Sequence, residues 1–236
     1  LYNESGTYVR YSGYEFLNPK PTELFNDAEY TPKMAAVSVV LSFEEILKNS
    51  GAAQIMDVMD AHIKAAEREL VDRFTEDLHS DGTAANQIGG LQAAVPTVTA
   101  TGVYGGIDRA VEPKWRTGTY TATGLVGGVL SSTNVHDAFS QVLINHTRGK
   151  NGPNLIAVDA TIYRVFQQSL LNIQRITKEG QTGTLGFPSL AYAGVGYELD
   201  VVLEGGIGSA MPANTAYFLK VGDDGLNFRY HADRNF

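Results

Sequence analysis

The chain has no cysteine. That excludes a disulfide framework, a zinc–thiolate site and a cysteine nucleophile. Packing and hydrogen bonds must hold the fold, which suits a reducing cytoplasm, although other compartments are equally compatible. Basic residues are also scarce: 18 Lys and Arg stand against 26 Asp and Glu, for a net charge of −8. Tight duplex binding needs Lys and Arg clustered against phosphates, so the composition argues against a nucleic-acid reader. No apolar run approaches the ~20 residues that span a bilayer. No signal peptide is visible. The chain opens at Leu1 rather than Met and stops at Phe236, and it reads as a fragment processed or trimmed at either end.

What is present fits a globular protein. Hydrophobic residues make up 43% and charged residues 19% of 236 positions, enough to bury the core of one large domain or two small ones. Glycine is abundant at 25 residues, which implies many turns and close backbone approaches.

Tyr8 to Leu17 is rich in aromatic and β-forming residues and predicts a strand. A polar stretch with Pro19 and Pro21 follows, and Tyr30 to Leu41 predicts a second strand. Together they predict a hairpin arm of roughly 40 Å at ~3.4 Å per residue. A lone two-stranded ribbon is marginal in water, so such an arm must lie on something else. Ser42 and Glu45 have the spacing of a capping box and open a short helix. A long helix follows from about Ala53 to Ser80, with an apolar stripe at Ile55, Met59, Ile63, Ala66, Leu70, Phe74 and Leu78. Gly82 is its natural stop. At ~1.5 Å per residue this is a rod of roughly 39 Å, a scaffold element.

Thr83 to Gly128 is dense in Gly, Thr and Ala and predicts loops and short strands with little helix. Val135 to Arg148 predicts a helix with Val135, Phe139, Val142 and Leu143 inward. Asn154 to Val158 predicts a buried strand. Asp159 then caps a helix over Ala160–Leu171, whose apolar face is Tyr163, Phe166 and Leu170. Leu199–Leu203, Ala216–Val221 and Leu226–Tyr230 are the expected closing strands, with a tight turn over Met211–Thr215. The class is therefore α+β.

A search for chemistry finds none. The five histidines, His62, His79, His136, His146 and His231, show no metal-ligand spacing and read as solvated or partner-facing. Asp57 and Asp60 beside Lys64 and Arg68 read as a salt-bridging helix surface rather than an acid–base pair. P-loop, dinucleotide-binding and nucleophile-elbow patterns are missing. The Asn145-His146-Thr147 sequon falls inside a predicted helix and reads as chance. The chain is not expected to be an enzyme, and no cofactor or metal is expected.

What remains is a long arm, a long rod and a glycine-rich region, and their order resembles the major capsid proteins of tailed bacteriophages, the Hong Kong 97-type fold. Tyr11-Ser-Gly-Tyr14-Glu, Ala28-Glu-Tyr30 and Ala35-Ala-Val-Ser-Val39 look like that family's extended loop and its return strand. The helix from Ala53 resembles the spine helix. Gly105-Gly-Ile-Asp-Arg109 with Trp115-Arg116, then Pro212-Ala-Asn-Thr215, Tyr217-Phe-Leu219 and His231-Ala-Asp-Arg234-Asn-Phe236, resemble recurrent stretches of one branch. The resemblance implies an extended-loop hairpin over 1–41, a peripheral domain with the spine helix over 42–82, an axial domain over 83–204 and return strands over 205–236. It implies hexamers and pentamers tiling an icosahedral shell around double-stranded DNA, assembled in the host cytoplasm, with no membrane. Scaffolding, portal and decoration proteins would be partners. Tyr11, Tyr14, Lys33, Arg109, Trp115 and Arg234 are the assembly residues it singles out. Lys20 and Lys33 are the arm lysines available for a crosslink of the kind some relatives form. The alternative is a cellular nanocompartment (encapsulin-type) shell of the same fold, enclosing enzymes.

Overall fold

The protein is described by a computed structural model. It describes residues 8–15, 26–48, 58–147, 149, 151–172, 189–194, 196–204, 210–222 and 225–230. Helices and strands are both present, as an α+β chain requires. Two compact units form, Leu1–Thr119 and Tyr120–Phe236. This boundary was not foreseen from the sequence.

The first unit begins with chain outside regular helix and strand, with a turn at Gly13–Tyr14. Residues 8–15 and 26–42 contain no strand, which corrects the expected hairpin ribbon. A strand exists only through its ladder of hydrogen bonds, and these residues find no ladder partner among the described residues of their own chain. Residues 16–25, the expected tip, lie outside the described residues. Ser42 then forms the foreseen capping box: its hydroxyl accepts from the Glu45 amide at 3.2 Å, and the Glu45 carboxylate accepts from the Ser42 amide at 3.1 Å. This starts α1 (Phe43–Lys48).

The long helix, α2, spans Val58–Leu78, and its expected start at Ala53 lies outside the described residues. No residue of α2 is buried. Ala66, Leu70, Phe74 and Leu78 of the stripe are half-covered, whereas Met59 and Ile63 remain exposed. Lys64 pairs with Asp60 at 2.6 Å and Arg73 with Glu76 at 2.8 Å on the solvated face. Exposed pairs of this kind add little to stability. Gly82, at φ +72°, turns the chain back along the end of α2. Gly90 passes so close to the last helical turn that a Cβ there would overlap the Asp77 and Leu78 carbonyl oxygens. The Ser80 hydroxyl donates to the Ile88 carbonyl at 2.7 Å and closes the return.

After the single turn α3 (Leu91–Ala94), β1 (Val103–Tyr104) and β2 (Ile107–Asp108) form a minimal antiparallel hairpin. Its two-residue turn is Gly105-Gly106, at φ +60° and +76°. That geometry suits the right-handed twist of paired strands and is open to glycine. A 3-10 turn over Pro113–Trp115 completes the unit.

The second unit holds the main core. α4 (Ala122–Val126) is capped by the Thr121 hydroxyl and ended by Gly127. α5 (Val135–His146), β3 (Leu155–Val158), α6 (Ala160–Asn172), β4 (Ser189–Gly194), β5 (Tyr197–Leu203) and β6 (Ala216–Leu219) follow. The sheet order is β4-β5-β3-β6, with β3 parallel to β5 and antiparallel to β6. Val135, Phe139 and Leu143 of α5 meet Ile162, Phe166 and Leu170 of α6 and Ile156, Val158, Tyr192, Leu199 and Val201 of the sheet. The helical faces foreseen for α5 and α6 are those that pack, with Ile162 rather than Tyr163 the deeper residue.

One side chain extends the pairing at the edge of the sheet. The Asn154 amide group accepts from the Val221 amide and donates to the Val221 carbonyl, both at 2.7 Å, as a backbone partner would. The expected strand over Leu226–Tyr230 is not formed. Leu226 makes only an isolated bridge to Val221.

Candidate functional site

The described residues offer little for catalysis. Among them, no group of three or more His, Asp or Glu could hold a metal ion. The hollow lined by Glu67, Arg68, Val71 and Asp72 lies open on the surface of α2. No described helix is long and apolar enough to cross a membrane.

One pair has the spacing of a nucleophile and its base. His136 Nε2 lies 2.9 Å from Ser169 Oγ. The Ser169 hydrogen, however, is committed to the Phe166 carbonyl at 2.5 Å. With that hydrogen so placed, Nε2–H is assigned as donor to Oγ, and the ring is no base for Ser169. Ser169 is only 2% exposed, so no substrate reaches it. The His136 ring lies against Phe166 and Tyr192, at centroid distances of 5.3 and 5.7 Å. Burial holds its pKa below the ordinary histidine value. The Tyr192 hydroxyl joins the network at Ser140, 2.7 Å away, and burial raises that phenol. This is a satisfied polar layer of a core. It corrects the expectation of a solvated or partner-facing residue at His136, as burial does at His79, whose Nδ1 lies 3.0 Å from the Thr75 carbonyl, whereas His146 is exposed and His231 lies outside the described residues.

The unusual feature is exposed apolar surface, much of it on the arm and the helices after it, with Val98, Val103, Val111, Val129 and Tyr230 exposed elsewhere. Tyr8, Tyr11, Tyr14, Met34, Val40, Phe43, Leu47, Met59 and Val71 are all at least 60% exposed. Scattered exposed hydrophobics are ordinary, but a dense run of them marks an interaction surface. The arm also forms no strand ladder among the described residues, and chain of this kind can pair with another chain by strand addition.

The expected assembly residues divide into two groups. Tyr11 and Tyr14 are exposed on the arm, and Lys33 is exposed on its return segment. Arg109 and Trp115 instead serve their own unit. Arg109 is 3% exposed, and its guanidinium donates to the Ala93 and Ala94 carbonyls at 2.8 and 2.9 Å. These are terminal carbonyls of α3 that lack helical partners. The same guanidinium lies over the Tyr104 ring, 5.3 Å from its centroid. Trp115 Nε1 donates to the Tyr104 carbonyl at 2.9 Å, and the two rings stack. Arg116 Nε donates to the Arg109 carbonyl at 2.6 Å. Tyr30, which was not singled out, packs edge-on against Tyr104 at 5.3 Å. Arg234 and Lys20 lie outside the described residues.

Comparison with protein-family models, with curated proteins and with solved structures returned no match.

Proposed function

We propose that the chain is a shell-building subunit, the major capsid protein of a tailed bacteriophage with a Hong Kong 97-type fold, and that it performs no catalysis. The observation that carries the reading is the arm over residues 8–15 and 26–42. It forms neither helix nor strand, lacks a ladder partner among the described residues of its own chain, and exposes large apolar side chains. Covering each such side chain with a neighbour contributes roughly 1.5–3 kcal/mol before costs. Ordering the backbone costs about 1–2 kcal/mol per residue. The net gain per contact is small, which suits a lattice of many weak contacts whose cooperativity comes from closure.

In this reading the arm lies on an adjacent subunit, where it gains a ladder and an apolar cover. The subunits form hexamers and pentamers that close around double-stranded DNA, with scaffolding, portal and decoration proteins as further partners. The net charge of −8 favours a wall that does not cling to the genome. The resemblance of the Gly105-Gly-Ile-Asp-Arg109 stretch and of the closing residues to one phage branch supports the phage assignment over the nanocompartment alternative. Sedimentation velocity of the recombinant protein tests the reading. Six copies of 25.5 kDa, about 153 kDa, or a larger closed particle is the expected species. A single 25.5 kDa species under all assembly conditions contradicts it. Shells isolated from the producing cell with protein cargo and no DNA would favour the nanocompartment.

A further inference from the structure

The described arm forms no strand, and residues 29–30 of it are held against the β1–β2 hairpin. The Glu29 amide donates to the Gly105 carbonyl at 3.0 Å. The Tyr30 ring meets Tyr104 edge-on at 5.3 Å, and a Cβ on Gly105 would come within 2.9 Å of the Tyr30 phenol. Behind Tyr104 stand Trp115, stacked on it, and Arg109, whose guanidinium covers the ring while bonding the end of α3. Partial desolvation, followed by the charge and hydrogen bond of the neighbouring Tyr104, pushes the Tyr30 pKa up to about 12 although the ring remains largely exposed. Beyond this point Met34 and Val40 are again exposed, at 86% and 79%.

We infer that residues 26–30 and the Tyr104–Arg109–Trp115 stack form a clasp that fixes the direction in which the arm leaves its unit, with Arg109 as the positioning residue. The inference rests on the shell-subunit reading for what the arm then reaches. The clasp itself is a property of the single chain. Its logic is entropic. A free arm samples many directions and loses them all on docking, whereas an arm fixed at its root has lost part of that freedom beforehand. Gly105 is required because φ is +60° and the Tyr30 ring occupies the space a side chain would take. Arg109 is required because one planar group must satisfy two carbonyls and face a ring, a geometry lysine does not reproduce.

The test is hydrogen exchange on the unassembled protein, followed by assembly. Tyr30→Ala removes a ring that is 58% exposed, so it leaves the unit folded. It should speed exchange of the Glu29 amide at least tenfold, while the Arg109 amide, bonded to the Gly102 carbonyl at 3.0 Å, keeps its protection. Gly105→Val should do the same by collision, and Tyr30→Phe should retain the protection. Arg109→Lys should release both the Glu29 amide and the Trp115 stack, the latter read as a shift in tryptophan emission. Assembly of the Tyr30→Ala protein should give irregular or fewer closed shells. Equal Glu29 exchange in wild type and Tyr30→Ala overturns the clasp. Released Glu29 with shells of normal number and shape overturns its steering role. Wild-type protein that never assembles sinks the shell reading instead, and the clasp then stands or falls on the exchange data alone.

Discussion

Replacing Asp159 by alanine should unfasten the second unit at a single point. Asp159 is 5% exposed, and its two carboxylate oxygens serve two elements. One accepts from the Ile162 amide at 2.9 Å and caps α6. The other accepts from the Asn214 amide at 2.7 Å, in the turn that leads into β6. Asn214 sits at φ +54°, so that turn needs an anchor to hold its left-handed residue. Losing a side-chain N-cap costs about 1 kcal/mol. A hydrogen bond to a charged group contributes about 1.5–3 kcal/mol. Both effects act in Asp159→Ala, and we expect a loss of about 3 kcal/mol. Asp159→Asn keeps one acceptor oxygen and should lose about half as much.

The readout must be local, because the only tryptophan, Trp115, belongs to the first unit. Native-state hydrogen exchange of the Ile156 and Ala157 amides on the central strand β3 reports the second unit. A loss of about 3 kcal/mol accelerates their exchange about 150-fold, at tenfold per 1.4 kcal/mol. Trp115 emission should not change. Exchange within about threefold of wild type would refute the claim that this carboxylate ties α6 to β6.

Two further perturbations probe each unit separately. Burial holds the folded-state pKa of His136 below the ordinary 6.5, so the unfolded chain takes up this proton at higher pH than the folded one. Its contribution to stability is complete above about pH 6.5 and is lost as pH falls toward the folded value. His136→Gln should flatten that acid-side slope in β3 exchange, and an unchanged slope would contradict the assignment. Gly90→Ala forces a methyl group into the carbonyls that end α2, and overpacking of this kind costs about 1–3 kcal/mol. Denaturant titration followed by Trp115 emission should shift to lower midpoint, whereas an unshifted midpoint would mean the backbone there yields freely.

Periodic elements were the legible part of this chain. α2, α5 and α6 carry apolar residues at helical spacing over three or more turns, and β3 is a short apolar run between turn signals. Local chemistry also read well: the Ser42–Glu45 box and the Asp159 cap act within three residues. β4 was missed because Ser-Leu-Ala-Tyr-Ala-Gly is built of small residues with little β preference. Its only cue was the alternation of Leu190 and Tyr192, and Tyr192 is the one that becomes buried. The arm shows the opposite failure. Its residues favour strands, but a strand needs a partner that the described chain does not supply. Among the candidate site residues, Arg109 illustrates the limit most clearly. Its acceptors, Ala93 and Ala94, lie 16 and 15 residues earlier, and no spacing rule links a guanidinium to the last carbonyls of a four-residue helix. His136 and Ser169 are 33 apart and meet only because α5 packs on α6.

Negative-stain electron microscopy of the full-length recombinant protein, alone and with its candidate scaffold, tests the shell-subunit reading most directly. The account predicts closed shells, or hexameric and pentameric rings, whose formation depends on residues 8–42. Well-dispersed single chains under every assembly condition would contradict it.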